Sequence, residues 1–142
     1  MNWSKRALLA AVVAVGVAGA SALPASAGGK DPLFINLTSD DAHRIDMAFA
    51  FGRGQHGLGH PLTVFLNDRA VLAASKTNEG KFADQQKAIA AFVAKGITVI
   101  VCPMCMQHYG IRPEDLLPGL KVGNPELTGK ALFRRNTKTM AW

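Results

Sequence analysis

Two thiols, Cys102 and Cys105, stand within four residues of each other in the stretch Cys102-Pro103-Met104-Cys105-Met106-Gln107-His108, and they are the only cysteines of the 142-residue sequence. Thiols at this spacing can close a local disulfide, and a thiolate there is stabilised if the following residues start a helix. His108 is placed to lower a cysteine pKa or to move a proton. Thiolate, thioether and imidazole are also soft ligands, so Cys102, Cys105, Met104, Met106 and His108 form a donor set suited to Cu(I) and acceptable to Zn(II). A structural zinc site wants about four protein ligands, which a single Cys-x-x-Cys pair does not supply. The plain alternative has Met104 and Met106 pointing into the core and His108 exposed on a loop.

The compartment bears on which chemistry is available. Lys5 and Arg6 precede an uncharged apolar stretch from Ala7 to Ala20, and Pro24 is followed by Ala25-Ser26-Ala27. This order of basic, apolar and small residues reads as a secretory signal peptide over residues 1–27, cleaved to leave a mature chain of 28–142. The apolar run is shorter than the roughly 20 residues of a membrane span, so no membrane association is expected after cleavage. The expected location is the periplasm or outside the cell. Thiols there tend towards oxidation, yet a bridge between Cys102 and Cys105 closes too small a loop to staple a fold. A chemical role is therefore expected of the pair.

Composition sets further limits. Hydrophobic residues make up 49% and charged residues 18%, as in a globular protein. The formal charge is +6, of which Lys5 and Arg6 supply two, leaving +4 on the mature chain without a basic run. Nucleic-acid binding is not expected.

The elements that must carry the thiols alternate. Leu33–Leu37 and Leu62–Leu66 read as strands, and Ile97–Val101 is an uninterrupted branched run suited to a parallel strand buried on both faces. Ile45, Ala48, Phe49 and Gly52 share one helical face, with Thr38-Ser39-Asp40-Asp41 as its cap and acidic first turn and the glycine-rich stretch 52–61 as its end. Phe82, Ile89, Phe92 and Val93 mark a second helix closed by Lys95-Gly96. A short helical signal over 113–117, a brief strand at 120–123, a helix opened by Asn124-Pro125 and an edge strand over 137–142 complete the pattern. The fold class is α/β, a single small domain with a largely parallel sheet and helices on both faces. In such sheets reactive groups sit at the carboxyl ends of strands, where the cysteine segment begins.

Other polar residues invite simpler explanations. His56 and His60 flank a glycine-rich loop, and His43 is expected to be exposed. Asp40 and Asp41 suit helix capping. Asn67 and Asp68 also follow a strand, where a site role is open to them, although turn formation is the simpler account. Arg134 and Arg135 belong on a solvated face or subunit contact, and Trp142 is either an interface anchor or an edge-strand packing residue. No phosphate-loop motif and no Ser/His/Asp order is present.

The stretch Val101-Cys102-Pro103-Met104-Cys105-Met106-Gln107-His108-Tyr109-Gly110-Ile111 resembles the cysteine loop of the DsrE/DsrF-like family. There a branched strand runs into a Cys with a Gly eight residues later, and YchN-like members carry a Cys-x-x-Cys-Met core. Phe34–Ser39 and Pro61–Asp68 fit the same family. The resemblance implies a mostly parallel five-stranded sheet and assembly as a trimer or hexamer. It also implies sulfane-sulfur transfer, with Cys102 at the sulfur-carrying position, Cys105 as partner thiol, and sulfur-donor and sulfur-acceptor proteins or small sulfur compounds as partners. Two features differ from the sulfur-relay members, which are cytosolic and can work with one cysteine. The export signal and Cys105 leave open a sulfur-relay role, a redox step, a copper-binding role, or an oligomeric interaction protein without catalysis.

Overall fold

The computed structural model describes residues 29–142, so the signal-peptide reading of 1–27 lies outside the described residues. Five strands form one parallel sheet: β1 (Leu33–Leu37), β2 (Leu62–Leu66), β3 (Thr98–Val101), β4 (Lys121–Val122) and β5 (Lys138–Ala141). They lie in the order β4-β3-β2-β1-β5. Four α-helices connect them: α1 (Ala42–Gly57), α2 (Glu79–Ala94), α3 (Pro103–His108) and α4 (Pro125–Leu132), with 3₁₀ turns over 68–74, 76–78 and 113–115. The expected α/β class and five-stranded parallel sheet are what the chain forms.

Alternation along the strands divides the sheet into two faces. Leu33, Ile35, Leu37, Leu62, Val64, Leu66, Val99 and Val101 join the main core with Ile45, Ala48 and Phe49 of α1 and Phe82, Ile89 and Phe92 of α2. The Phe49 and Phe92 rings meet edge-on at 5.2 Å, which ties α1 to α2 and adds about 0.5–1.5 kcal/mol beyond burial. On the opposite face Thr63 and Thr98 share a cleft with Leu127 and Ala131 of α4. Phe34 and Phe65 share another with Thr128 and Leu132. Helices therefore cover both faces, and the face under α4 is the less deeply covered.

Three local details sharpen or correct the expectations. The helix α1 ends inside the glycine-rich stretch, as expected, after running through Gly52 and Gly54 to Gly57. Gly52 is a packing residue: a Cβ there would lie 2.9 Å from Ile35 and 3.1 Å from Leu62. Its missing side chain lets the helix press onto the sheet. The acids expected in the first turn also lie elsewhere. Asp41 is itself the N-cap, accepting the Arg44 N–H at 2.9 Å, and Asp40 precedes the helix. Finally, the cysteine segment is largely helical, as α3, with Pro103 in its first turn. The Gly96 cap is as expected, with φ +74°.

Gly52 and Gly54 make opposite predictions within one helix. Gly52→Val should lower unfolding stability by about 1–3 kcal/mol through overpacking. Gly54 has open space around it, so Gly54→Ala should raise stability by about 0.5–1 kcal/mol. Chemical denaturation of the two variants beside the wild type measures both.

Candidate functional site

The site is assembled where two neighbouring strands end. Leu66 of β2 pairs with Val101 of β3, so the next residues, Asn67 and Cys102, leave the sheet together. Cys102 N–H donates to the Leu66 carbonyl at 3.0 Å and Asn67 N–H to the Leu37 carbonyl at 2.8 Å. Cys102 then caps α3, with its carbonyl accepting the Met106 N–H at 2.9 Å. One turn of helix returns Cys105 to the same spot. Both cysteines are free and half-buried, and their sulfurs are 3.0 Å apart.

Cys105 is the more closely held of the two. Its thiol has two acceptors within reach, Cys102 Sγ at 3.0 Å and Asn67 Oδ1 at 3.1 Å. The Asp68 N–H donates to Cys105 Sγ at 3.1 Å and to Asn67 Oδ1 at 2.9 Å. Asp68 adopts φ +45°, a left-handed conformation that Asp tolerates better than most residues. Its carboxylate accepts the Tyr109 hydroxyl at 2.8 Å. Burial pushes the Cys105 thiol up, the Cys102 sulfur acts in the same direction, and the Asp68 N–H opposes them. Tyr109 is raised chiefly by its bond to Asp68.

A second set of bonds anchors this loop. Arg69 grips Asp40 through two bonds of 2.7 and 3.0 Å, and Lys81 reaches the same carboxylate at 2.7 Å. Asp40 is thereby held well below the usual carboxylate range. Its function is to tie the loop after β2 to the entry of α1 and the start of α2, a long-range role that capping did not anticipate.

The expected site residues are placed unequally. Cys102 and Cys105 come together, and a pocket of about 190 Å³ opens over Cys102 between Phe65, Met104, Gly123 and Asn124. Met104 is exposed at 78%, whereas Met106 is buried in the core at 3%. Met106 therefore takes the core position rather than a place beside Met104 in a soft donor set. His108 is exposed, and its ring packs edge-on against Tyr109 at 4.7 Å. Among the described residues no side-chain hydrogen bond joins His108 to either sulfur. No group of three or more His, Cys, Asp or Glu side chains there is placed to hold a metal ion. His43 is exposed, and His60 bonds the Asp31 carbonyl through Nδ1 at 2.8 Å. Arg134 and Arg135 are exposed. Trp142 packs on Phe51 with ring centres 5.7 Å apart, and its backbone pairs with Asn36. Tyr109 and Arg69 are surrounding residues that motif reasoning left out of the site, and Asn67 and Asp68, read first as turn residues, join them.

A parallel α/β domain with a dithiol at the carboxyl end of a central strand defines the class of protein. The model of the DsrE/DsrF-like family matches residues 32–134, and the chain belongs to that family. Among solved structures, the fold is similar to the protein of unknown function MTH1491 from Methanobacterium thermoautotrophicum, with TM-score 0.64 and 11% identity over 79% of this chain and 99% of that one. The ychN protein from E. coli gives TM-score 0.62 and 18% identity over 79% and 99% of the two chains. The conserved protein BT1422 from Bacteroides thetaiotaomicron gives 0.61 and 18% over 79% and 95%. No curated protein matches.

The Asp40 anchor carries a pH prediction. A carboxylate whose folded-state pKa is depressed contributes stability above its unfolded pKa, and that contribution is lost as pH falls towards the folded value. Thermal melts should show Asp40→Asn less stable than wild type near neutral pH. The difference should shrink progressively as the pH drops below about 4. A constant difference across that range would exclude the ionised carboxylate as its source.

Proposed function

We propose that this is an exported sulfur-transfer or thiol-redox protein that carries sulfane sulfur as a persulfide on Cys102, with Cys105 as partner thiol. The observation that carries the reading is the pair of free sulfurs 3.0 Å apart, with the Cys105 S–H donating towards Cys102. Burial raises the Cys105 thiol, and the pocket beside Phe65 and Met104 opens over Cys102, so Cys102 is the sulfur a donor can reach. Family membership supports the same chemistry, and the order of residues in 1–27 supports export. The Cys102 thiolate attacks the outer sulfur of a donor persulfide. The donor S–S bond breaks, a Cys102 persulfide forms, and the donor leaves as thiolate with no net oxidation. Attack by an acceptor thiolate passes the sulfur on.

Donor and acceptor are proteins or small sulfur compounds that reach Cys102 through the pocket beside Phe65 and Met104. Assembly as a trimer or hexamer belongs to the same reading. The exposed Phe133, at 84%, and Met140, at 38%, supply apolar surface for it. Among the described residues no helix is long and apolar enough to cross a membrane.

Intact-protein mass spectrometry of the mature form 28–142 tests the function. The reduced protein is incubated with polysulfide and, separately, with Cu(I) under anaerobic native conditions. Wild type and Cys105→Ser should gain whole sulfur atoms, and Cys102→Ser should gain none. Copper retention without any sulfur adduct would overturn the reading in favour of a metal-binding protein.

A further inference from the structure

We propose that Asn67 is a positioning residue that protects a Cys102 persulfide, by holding the Cys105 proton and so keeping Cys105 from discharging the sulfur. The inference rests on the sulfur-carrier reading of Cys102 and concerns what its neighbour does once the sulfur is loaded.

A second thiol beside a persulfide is a hazard. Cys105 Sγ stands 3.0 Å from Cys102 Sγ, which becomes the inner sulfur of the loaded form. A Cys105 thiolate that attacks there forms the Cys102–Cys105 disulfide and breaks the bond to the outer sulfur. The outer sulfur departs as hydrosulfide. Two electrons pass from the two cysteine sulfurs to the outer sulfur, and the Cys105 proton goes to water before the attack. The sulfur is then lost to the acceptor. This route requires the thiolate, because the thiol is a poor nucleophile.

Asn67 is placed against that ionisation. The single Cys105 proton has two acceptors at nearly equal distance, Cys102 Sγ at 3.0 Å and Asn67 Oδ1 at 3.1 Å. The Asp68 N–H bonds the same Asn67 oxygen at 2.9 Å, which settles that the oxygen end of the amide faces the thiol. A carbonyl oxygen rewards a protonated sulfur and repels a thiolate. Asn67 Oδ1 is the stronger of the two acceptors, since a sulfur accepts hydrogen bonds only weakly, and it stays in place when Cys102 carries sulfur. The charged and titratable groups around Cys105 are Cys102, the Asp68 carboxylate, the Tyr109 hydroxyl bonded to it, and Arg69 on the same loop. Among the contacts at the sulfur itself, the Asp68 N–H favours the thiolate, so the balance is set between neighbouring atoms of one loop.

The test measures how long the persulfide lasts and how fast sulfide is released, from about pH 6 to about pH 9. It compares wild type, Asn67→Ala, Asn67→Asp and Asn67→Ala combined with Cys105→Ser, each loaded with polysulfide and freed of excess. Asn67→Ala should shorten the persulfide lifetime by roughly three- to tenfold, the scale of one hydrogen bond. It should also move the rise of sulfide release to lower pH. Asn67→Asp keeps an oxygen acceptor and should restore the wild-type lifetime or exceed it. In the Cys105→Ser background the Asn67→Ala effect should vanish, because no resolving thiol remains. Equal lifetimes in wild type and Asn67→Ala, or a loss that persists without Cys105, would overturn the role of Asn67 alone. Failure of wild type to take up sulfur at all would instead overturn the carrier reading, and this inference with it.

Discussion

Leu66 pairs with Val101 in a parallel ladder, and that register places Asn67 beside Cys102 at the point where β2 and β3 end. The register is enforced far from the sulfurs. Leu62, Val64 and Leu66 alternate into the main core, as do Val99 and Val101. A slip by one residue would turn each of these chains to the other face. The cost of that inversion, summed over several buried branched side chains, exceeds what any single bond at the site supplies. The dithiol is therefore located by the hydrophobic core, and its own hydrogen bonds only adjust it.

The adjustment is done by one short loop and its anchors. Residues 67–69 meet Cys105, Tyr109 and Asp40 in turn. Arg69 and Lys81 are more than half exposed, so each ion pair contributes little to global stability. Their effect is local: they limit the freedom of a loop whose backbone N–H must stay within reach of a sulfur. The left-handed Asp68 is the expected accompaniment, since an uncommon conformation persists where surrounding contacts fix it. The core sets the ångström-scale position of Cys102, and the loop sets the surroundings of Cys105.

The parts of this arrangement that were legible in sequence are those with a local signature. Branched runs marked β1, β2 and β3, and helical spacing marked the buried faces of α1 and α2. Gly52 is legible as a member of the buried face of α1, but its close contact with Ile35 and Leu62 depends on how the helix lies on the sheet. The helix α3 has six residues, too few to display a period, and two of its methionines part company, one exposed and one in the core. Asn67 illustrates the limit best. The turn chemistry assigned to it is real, since its side chain accepts the Asp68 N–H. Its bond to Cys105, 38 positions away, depends on β2 lying next to β3, and no local propensity encodes that adjacency. Asp40 hides its role in the same way, because its partners lie 29 and 41 residues downstream.

The same loop also bears on the choice between thiol chemistry and soft-metal binding. A metal takes cysteine as thiolate, so binding must displace the thiol proton. Here burial and the neighbouring sulfur raise Cys105, and a hard amide oxygen lies 3.1 Å from its sulfur. Met106, the thioether one residue on, is turned to core packing. Each of these makes a Cu(I) site more costly to form. None of them bears on Cys102, which lies beneath the open pocket beside Phe65 and Met104. A second cysteine one helical turn away by itself invites metal or disulfide chemistry. Under the proposed sulfur-carrier reading, the Asn67 contact makes it instead a thiol that keeps its proton beside Cys102.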